Sequence, residues 1–183
     1  MKKTWLAIGA AAIIALSGCS SSGHDEKSDG QSHEMNHEGM NHSSSGEVPK
    51  NLQASQNPTF KIGSEAIMKA DHMKGMDGAK ATIVGAYDTT AYTVSYTPTT
   101  GGEKVENHKW VIQEEIKGAG KKELKPGKEV TLEADHMKGM KGAEATVDSA
   151  EKTTVYMVDY NPTTGGKKVR NHKWVTESEL SKP

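Results

Sequence analysis

A constant offset of 64 relates two stretches of this 183-residue chain: Lys61 to Ala119 aligns without a gap on Lys125 to Pro183, with 33 identities in 59 pairs. A gapless match of that density marks a tandem duplication. Each copy has only about sixty residues in which to bury a core, and at that size a core is marginal. The two copies are therefore expected to lean on one another.

Within a copy the apolar pattern has period two. In Tyr92-Thr93-Val94-Ser95-Tyr96 and Tyr156-Met157-Val158-Asp159-Tyr160 the residues Tyr, Val and Tyr fall on one face, which predicts half-buried antiparallel strand. Glu65 to Ala70, Ala79 to Ala86 and Lys104 to Ile112 are further strand candidates. Turns are signalled by Lys74-Gly75, Asp77-Gly78 and Pro98-Thr99-Thr100-Gly101-Gly102. Four or five short strands in so few residues predict an all-β fold, a small barrel or curled sheet per copy. Pro126-Gly127-Lys128-Glu129-Val130, the Lys-Gly-Met-Lys-Gly loop and the Tyr-x-Val-x-Tyr strand resemble an SH3-like barrel of the KOW type. The expected organisation is two tandem SH3-like barrels at 57–120 and 121–183, hinged at Lys117-Gly118-Ala119-Gly120-Lys121-Lys122.

Ahead of the copies, Met1-Lys2-Lys3, an apolar run from Trp5 to Leu16 and then Leu16-Ser17-Gly18-Cys19 have the order of an export signal over 1–18. A bilayer span needs ~20 apolar residues, more than this run supplies. Leu-Ser-Gly-Cys resembles the bacterial lipobox, which implies cleavage, lipid on Cys19 and a chain anchored to the outer face of the cell membrane. The alternative is an ordinary cleaved signal that leaves a free thiol. Cys19 is the single cysteine, so a thiolate zinc site, an iron–sulfur cluster or an internal disulfide is excluded. Loss of Lys2 and Lys3 takes the basic residues from 23 to 21 against 24 acidic ones, a charge of −3, which disfavours nucleic acid as a partner. From Cys19 to Gln56 the chain is so poor in large apolar residues that a disordered tether is expected, spanning roughly 30–36 Å as a coil.

Three groups of histidine and methionine bear on chemistry. The tether holds His33, Met35, His37, Met40 and His42 within ten residues. Each copy then repeats one loop without change, Ala70-Asp71-His72-Met73-Lys74-Gly75-Met76 and Ala134-Asp135-His136-Met137-Lys138-Gly139-Met140, and one late strand, Asn107-His108-Lys109-Trp110-Val111 and Asn171-His172-Lys173-Trp174-Val175. Thioether sulfur with imidazole suits copper, Cu(I) first and Cu(II) second, whereas calcium or magnesium would need clustered oxygens. On a regular strand His108 and Trp110 share a face. Should that strand lie beside the loop of its own copy, His108, His72, Met73 and Met76 form an N2S2 set, with a Trp nearby to shield Cu(I). The structural alternative makes one Met a core plug, the glycine a turn residue, and Trp and His ordinary packing.

The lipobox, the His/Met tether and both repeats, through Asp-His-Met-Lys-Gly-Met and Asn-His-Lys-Trp-Val, resemble the YdhK-type lipoproteins of Gram-positive bacteria, which include CopL-like copper-resistance lipoproteins. That resemblance implies a copper-binding protein facing outward from the membrane, and it assigns no ligand residue by residue. The expectation is a monomeric lipoprotein that sequesters copper and carries no catalytic residues, since a Gly-x-Ser-x-Gly pattern is absent and lipid on Cys19 would leave no thiol nucleophile. A different expectation is a cell-wall-binding module, with Tyr92, Tyr96, Trp110, Tyr156, Tyr160 and Trp174 lining an aromatic groove.

Overall fold

Two 17-residue strands, β3 (Lys80–Tyr96) and β6 (Glu144–Tyr160), form the spine of the protein, one from each copy. They pair antiparallel along almost their whole length, from Ala81 opposite Tyr160 to Tyr96 opposite Ala145. The computed structural model describes residues 43–183. Besides the spine it has β1 (Gln53–Ala54), β2 (Glu65–Met68), β4 (Val105–Ile112), β5 (Glu129–Thr131), β7 (Val169–Thr176) and β8 (Leu180–Ser181). All eight belong to one antiparallel sheet with the path β5-β6-β3-β2-β8, while β1 and β4 add to β3 and β7 adds to β6. The expected signal segment, Cys19 and the expected tether residues His33, Met35, His37, Met40 and His42 lie outside the described residues.

The all-β class and the two repeats are as expected, but the packing units do not follow the repeat boundary. At one end of the spine, β2 and the first half of β3 pack with the second half of β6 and its partner β7. The core there joins Ala66, Met68, Met76 and Ile83 of the first copy to Tyr156, Val158, Tyr160 and Leu180 of the second. At the other end β5 pairs with the start of β6, and β4 with the end of β3. Each end is therefore half of one copy completed by half of the other, and the described residues fall within one compact unit. The physical reason is the length of the spine strands. Ala79–Ala86 and Tyr92–Tyr96, expected as separate strands, are one strand carried past Gly85 with a register shift between Ile83 and Gly85. A strand that long, at ~3.4 Å per residue, overshoots a barrel of sixty residues and delivers its second half to the neighbour.

Between the ends, Ala91, Trp110, Ile112, Val155, Met157 and Trp174 form a central cluster against which Val48, Leu52, Val84 and Tyr87 pack. Val48 and Leu52 belong to the stretch expected to be tether. Residues 43–56 are instead laid on the sheet: Ser44 N–H donates to the Arg170 carbonyl (3.0 Å), Ser44 Oγ to the Asn171 carbonyl (2.6 Å), and β1 pairs with β3 at Tyr87 and Asp88. Val48 and Leu52 are half-buried, so their packing adds to these backbone bonds in holding the segment on the sheet. The expected hinge is also tied. Gln113 Nε2 reaches the carbonyls of Ala119, Gly120 and Lys122 at 3.3, 3.1 and 3.0 Å, and Leu124 N–H donates to Tyr92 Oη at 3.1 Å.

Strand Tyr92–Tyr96 is buried on both faces, because Thr93 and Ser95 are covered as well as the tyrosines. Their hydroxyls are satisfied by the other copy, Thr93 Oγ1 by Ser149 Oγ (2.8 Å) and Ser95 Oγ by Asp148 (2.7 Å). Half-burial, read from alternation, fails here because the partner copy covers the polar face.

Candidate metal centre

Each His-Met loop is a chain of tight turns. Met76 N–H donates to the Met73 carbonyl and Gly78 N–H to the Met68 carbonyl, and the same bonds recur 64 residues on at Met140 and Gly142. Gly75 and Gly139 sit at φ +84° and +80°, where a side chain is strained, and a Cβ there would also strike the opposite copy. Thr163 N–H donates to Gly75 O at 3.0 Å, and Thr99 N–H to Gly139 O at 2.9 Å. The loop of one copy thus docks on the Pro-Thr-Thr turn of the other.

This docking sorts the sulfurs. Met76 and Met140 are fully buried in the core, so their repetition reflects packing. An N2S2 set that includes Met76 is not what the loop presents. Met73 and Met137 are only partly buried. Met137 Sδ accepts the Tyr96 hydroxyl at 3.9 Å, and Met73 packs on the cluster that holds Tyr160. Burial raises the Tyr96 phenol and pushes Tyr160 up to about 12, so both keep their protons at neutral pH.

One histidine pair also crosses the copies. The His108 ring lies 6.3 Å from that of His136, tilted 39°, and stands edge-on to Tyr96 at 6.0 Å. The expected partner, His72, instead meets Trp110 at 6.2 Å, and His172 stands edge-on to Tyr160 at 5.9 Å. His108 and Trp110 do not share a neighbourhood as a regular strand would require. Asn107 and Asn171 take φ +50° and +51°, and the register of β4 on β3 and of β7 on β6 shifts on either side of the histidine. Asn tolerates this left-handed conformation better than other residues with a side chain. Its N–H is taken by the other features of the bulge, Asn107 by Ser95 Oγ (3.1 Å) and Asn171 by Asp159 (2.8 Å).

Two residues missed by sequence reasoning organise the rest. Glu115 ends the 3₁₀ turn Gln113–Glu115 and accepts His136 Nε2 at 2.8 Å, Trp174 Nε1 at 3.0 Å and Ile112 N at 3.3 Å. Glu179, its repeat equivalent in Glu177–Glu179, accepts His72 Nε2 at 2.5 Å, Trp110 Nε1 at 2.8 Å and Thr176 N at 3.0 Å. The signal was present, since Glu115 and Glu179 are an identical pair at the 64-residue offset. Burial alone would raise both carboxyls. For Glu115 the attraction of the His136 ring once it is protonated, with the bonds from His136, Trp174 and Ile112, outweighs it. For Glu179 the bond and the same attraction from His72, with the bonds from Thr176 and Trp110, outweigh it, so both lie below their ordinary value.

Each indole also carries its own neighbour, Lys109 over Trp110 at 5.6 Å and Lys173 over Trp174 at 5.8 Å, where a Cu(I) shield was expected. The aromatic groove expected of a wall-binding module does not form. Tyr92, Tyr96, Trp110, Tyr156, Tyr160 and Trp174 are all buried.

Against this packing, one pair of atoms stands out: Nδ1 of His72 and Nδ1 of His136 are buried and have no hydrogen-bond partner. Buried polar atoms are nearly always satisfied, so each such atom calls for an explanation. Among the described residues no three His, Cys, Asp or Glu side chains are arranged to hold a metal ion. A site here would have to add thioether sulfur to imidazole, as His108, His136 and Met137 do, which fits a soft ion and not a hard one.

A duplicated all-β protein whose copies exchange halves, with a His–Glu–Trp constellation spanning the copies twice, is the class that fold and site define. The chain belongs to the family described as "Protein of unknown function (DUF1541)", matched at residues 62–113 and 126–177. It is 62% identical over 171 residues to the uncharacterized protein YdhK of Bacillus subtilis (strain 168), covering 92% of this chain and 83% of that one. A crystal structure of YdhK shares 68% identity with it at a TM-score of 0.77, over 80% of this chain and 100% of the other. The solution structure of the YdhK C-terminal domain shares 71% identity at a TM-score of 0.64, over 67% of this chain and 93% of that domain.

Proposed function

We propose that the protein is a lipid-anchored binder of soft metal ions on the outer face of the membrane, copper first, which sequesters the ion and contributes to copper resistance. The observation that carries this reading is the buried, unbonded Nδ1 of His136, held by Glu115 through the opposite ring nitrogen beside the His108 ring and near the Met137 thioether. Two ring nitrogens bound to one ion at ~2.0 Å place their ring centroids roughly 5–6.5 Å apart, a range that includes the separation of His108 and His136. His72, Met73 and His172 occupy the same positions at the 64-residue offset, and His33, Met35, His37, Met40 and His42 add donors earlier in the chain. Copper enters as cargo, so no catalytic step is required of the chain.

Anaerobic titration of the mature, non-lipidated protein with Cu(I), in competition with a chromophoric chelator, tests the reading. Competition is expected, weakened when His136 and Met137 are replaced by Ala and weakened further when His72 and Met73 are also replaced. A protein that leaves the chelator fully loaded, or one indifferent to those replacements, would end it.

A further inference from the structure

We infer that Glu115 and Glu179 are positioning residues: each fixes the histidine it faces, His136 or His72, in the tautomer that carries its proton on Nε2 and keeps Nδ1 as an electron-pair donor. The tautomer follows from hydrogen-bond bookkeeping at the carboxylates. An indole N–H and a backbone N–H can only donate, so Trp174 and Ile112 require Glu115 to accept, as Trp110 and Thr176 require of Glu179. Those donors come from elements on both sides and pin each carboxylate in one orientation. The second oxygen then lies 2.8 Å from His136 Nε2 and 2.5 Å from His72 Nε2. Two lone pairs do not face each other at such distances, so Nε2 bears hydrogen. In a neutral imidazole the other nitrogen is then bare, and it is Nδ1 that is buried without a partner in both copies.

Metal-binding histidines commonly donate their other ring N–H to a carboxylate, which fixes the ring and raises its basicity. Here the carboxylate of the first copy serves the histidine of the second, and the reverse. The functional part of the inference rests on the soft-metal reading given above, whereas the tautomer does not.

The test is long-range ¹H–¹⁵N correlation of ¹⁵N-histidine-labelled mature protein without metal at neutral pH, followed by Cu(I) competition. His72 and His136 should both show a protonated Nε2 and a bare Nδ1. In Glu115→Gln the amide offers one acceptor oxygen for either His136 or Trp174 and not both. His136 should then lose its single tautomer, and Cu(I) affinity at that pole should fall about 10- to 100-fold. His72, held by Glu179, should keep both its tautomer and its affinity, which reports that the fold survives. A wild-type His136 or His72 with its proton on Nδ1, or on both nitrogens, overturns the assignment even if the variant fails to fold. So does a Glu115→Gln protein in which His136 is unchanged, or in which both poles weaken equally. A wild-type protein with the expected tautomers and no Cu(I) competition leaves the tautomer assignment standing and defeats only the metal reading.

Discussion

The carboxylate of Glu115, in the first copy, accepts the indole N–H of Trp174, in the second, at 3.0 Å. Glu179 repeats the relationship within a different combination, taking Trp110 and His72 from the first copy. Both carboxylates are therefore shared property of the two copies, and they stitch together the halves that the long spine strands exchange.

Replacing Glu115 by Ala leaves the Trp174 Nε1–H, the His136 ring and the Ile112 N–H without their acceptor in a buried setting. Leaving a buried donor unsatisfied costs about 1–3 kcal/mol per group, so the three together should cost several kcal/mol. Urea unfolding should register a loss of that order. Replacing the adjacent Glu114, whose carboxylate receives one hydroxyl, from Thr89, should cost under about 1 kcal/mol.

The two loop glycines should be far less replaceable than their neighbours. A Cβ at Gly75 would lie 2.7 Å from Thr164 Oγ1 and 2.9 Å from Pro162 Cβ, and one at Gly139 would lie 2.6 Å from Thr100 Oγ1. At Gly78 φ is also positive, but nothing lies within 4 Å. The left-handed conformation costs a substituted residue about 1–2 kcal/mol, so Gly78→Ala should stay in that range. Gly75→Ala adds a clash that forces the loop off the Pro-Thr-Thr turn, and thermal unfolding should place it clearly below Gly78→Ala.

The two methionines of one loop should separate stability from binding. Met140→Ala opens a cavity in a fully buried position and should cost about 2–5 kcal/mol. Met137→Ala, at a partly buried sulfur beside the Tyr96 hydroxyl, should cost under about 2 kcal/mol while lowering Cu(I) affinity. Equal losses of stability would contradict the division of roles.

Acid should loosen the protein through Glu115 and Glu179. Their folded pKa values lie below the ordinary 4.5, so the stability they contribute is fully present above that value and is lost as pH falls through the folded values. Urea midpoints measured downward from neutral pH should hold until roughly pH 5 and then drop. In Glu115→Gln the drop should be smaller. A drop of undiminished size would show that this carboxylate is not a source of the acid sensitivity.

The all-β class, the turns and the duplication were legible because each is written in local patterns: period-two alternation at Tyr92-Val94-Tyr96, Gly at positive φ, and the 64-residue offset. The exchange of halves was not, because nothing in the residues between Ala86 and Tyr92 marks whether two strands end there or one continues. The candidate site suffered most from that gap. His72, Met73, His136, Met137, His108 and His172 were all singled out by donor type, yet the pairing of His108 with His136 follows from the exchange alone. His108 and Trp110 also have different neighbours because the strand is irregular around them, with register shifts on either side of the Val94–His108 pair, which alternation does not encode. Glu115 and Glu179 were passed over because a lone Glu in a charged chain carries no motif. Their significance lies in the donors that converge on them from both copies.

The most direct measurement is the ¹³C-methyl methionine spectrum of the protein without residues 1–18 as Cu(I) is added under anaerobic conditions. The account predicts the largest shifts at Met73 and Met137, accompanied by changes at His72 and His136, with Met76 and Met140 moving least because their sulfurs are enclosed in the core. Shifts confined to Met35 and Met40, or no shift at any methionine, would contradict the claim that the exchanged copies build a soft-metal site.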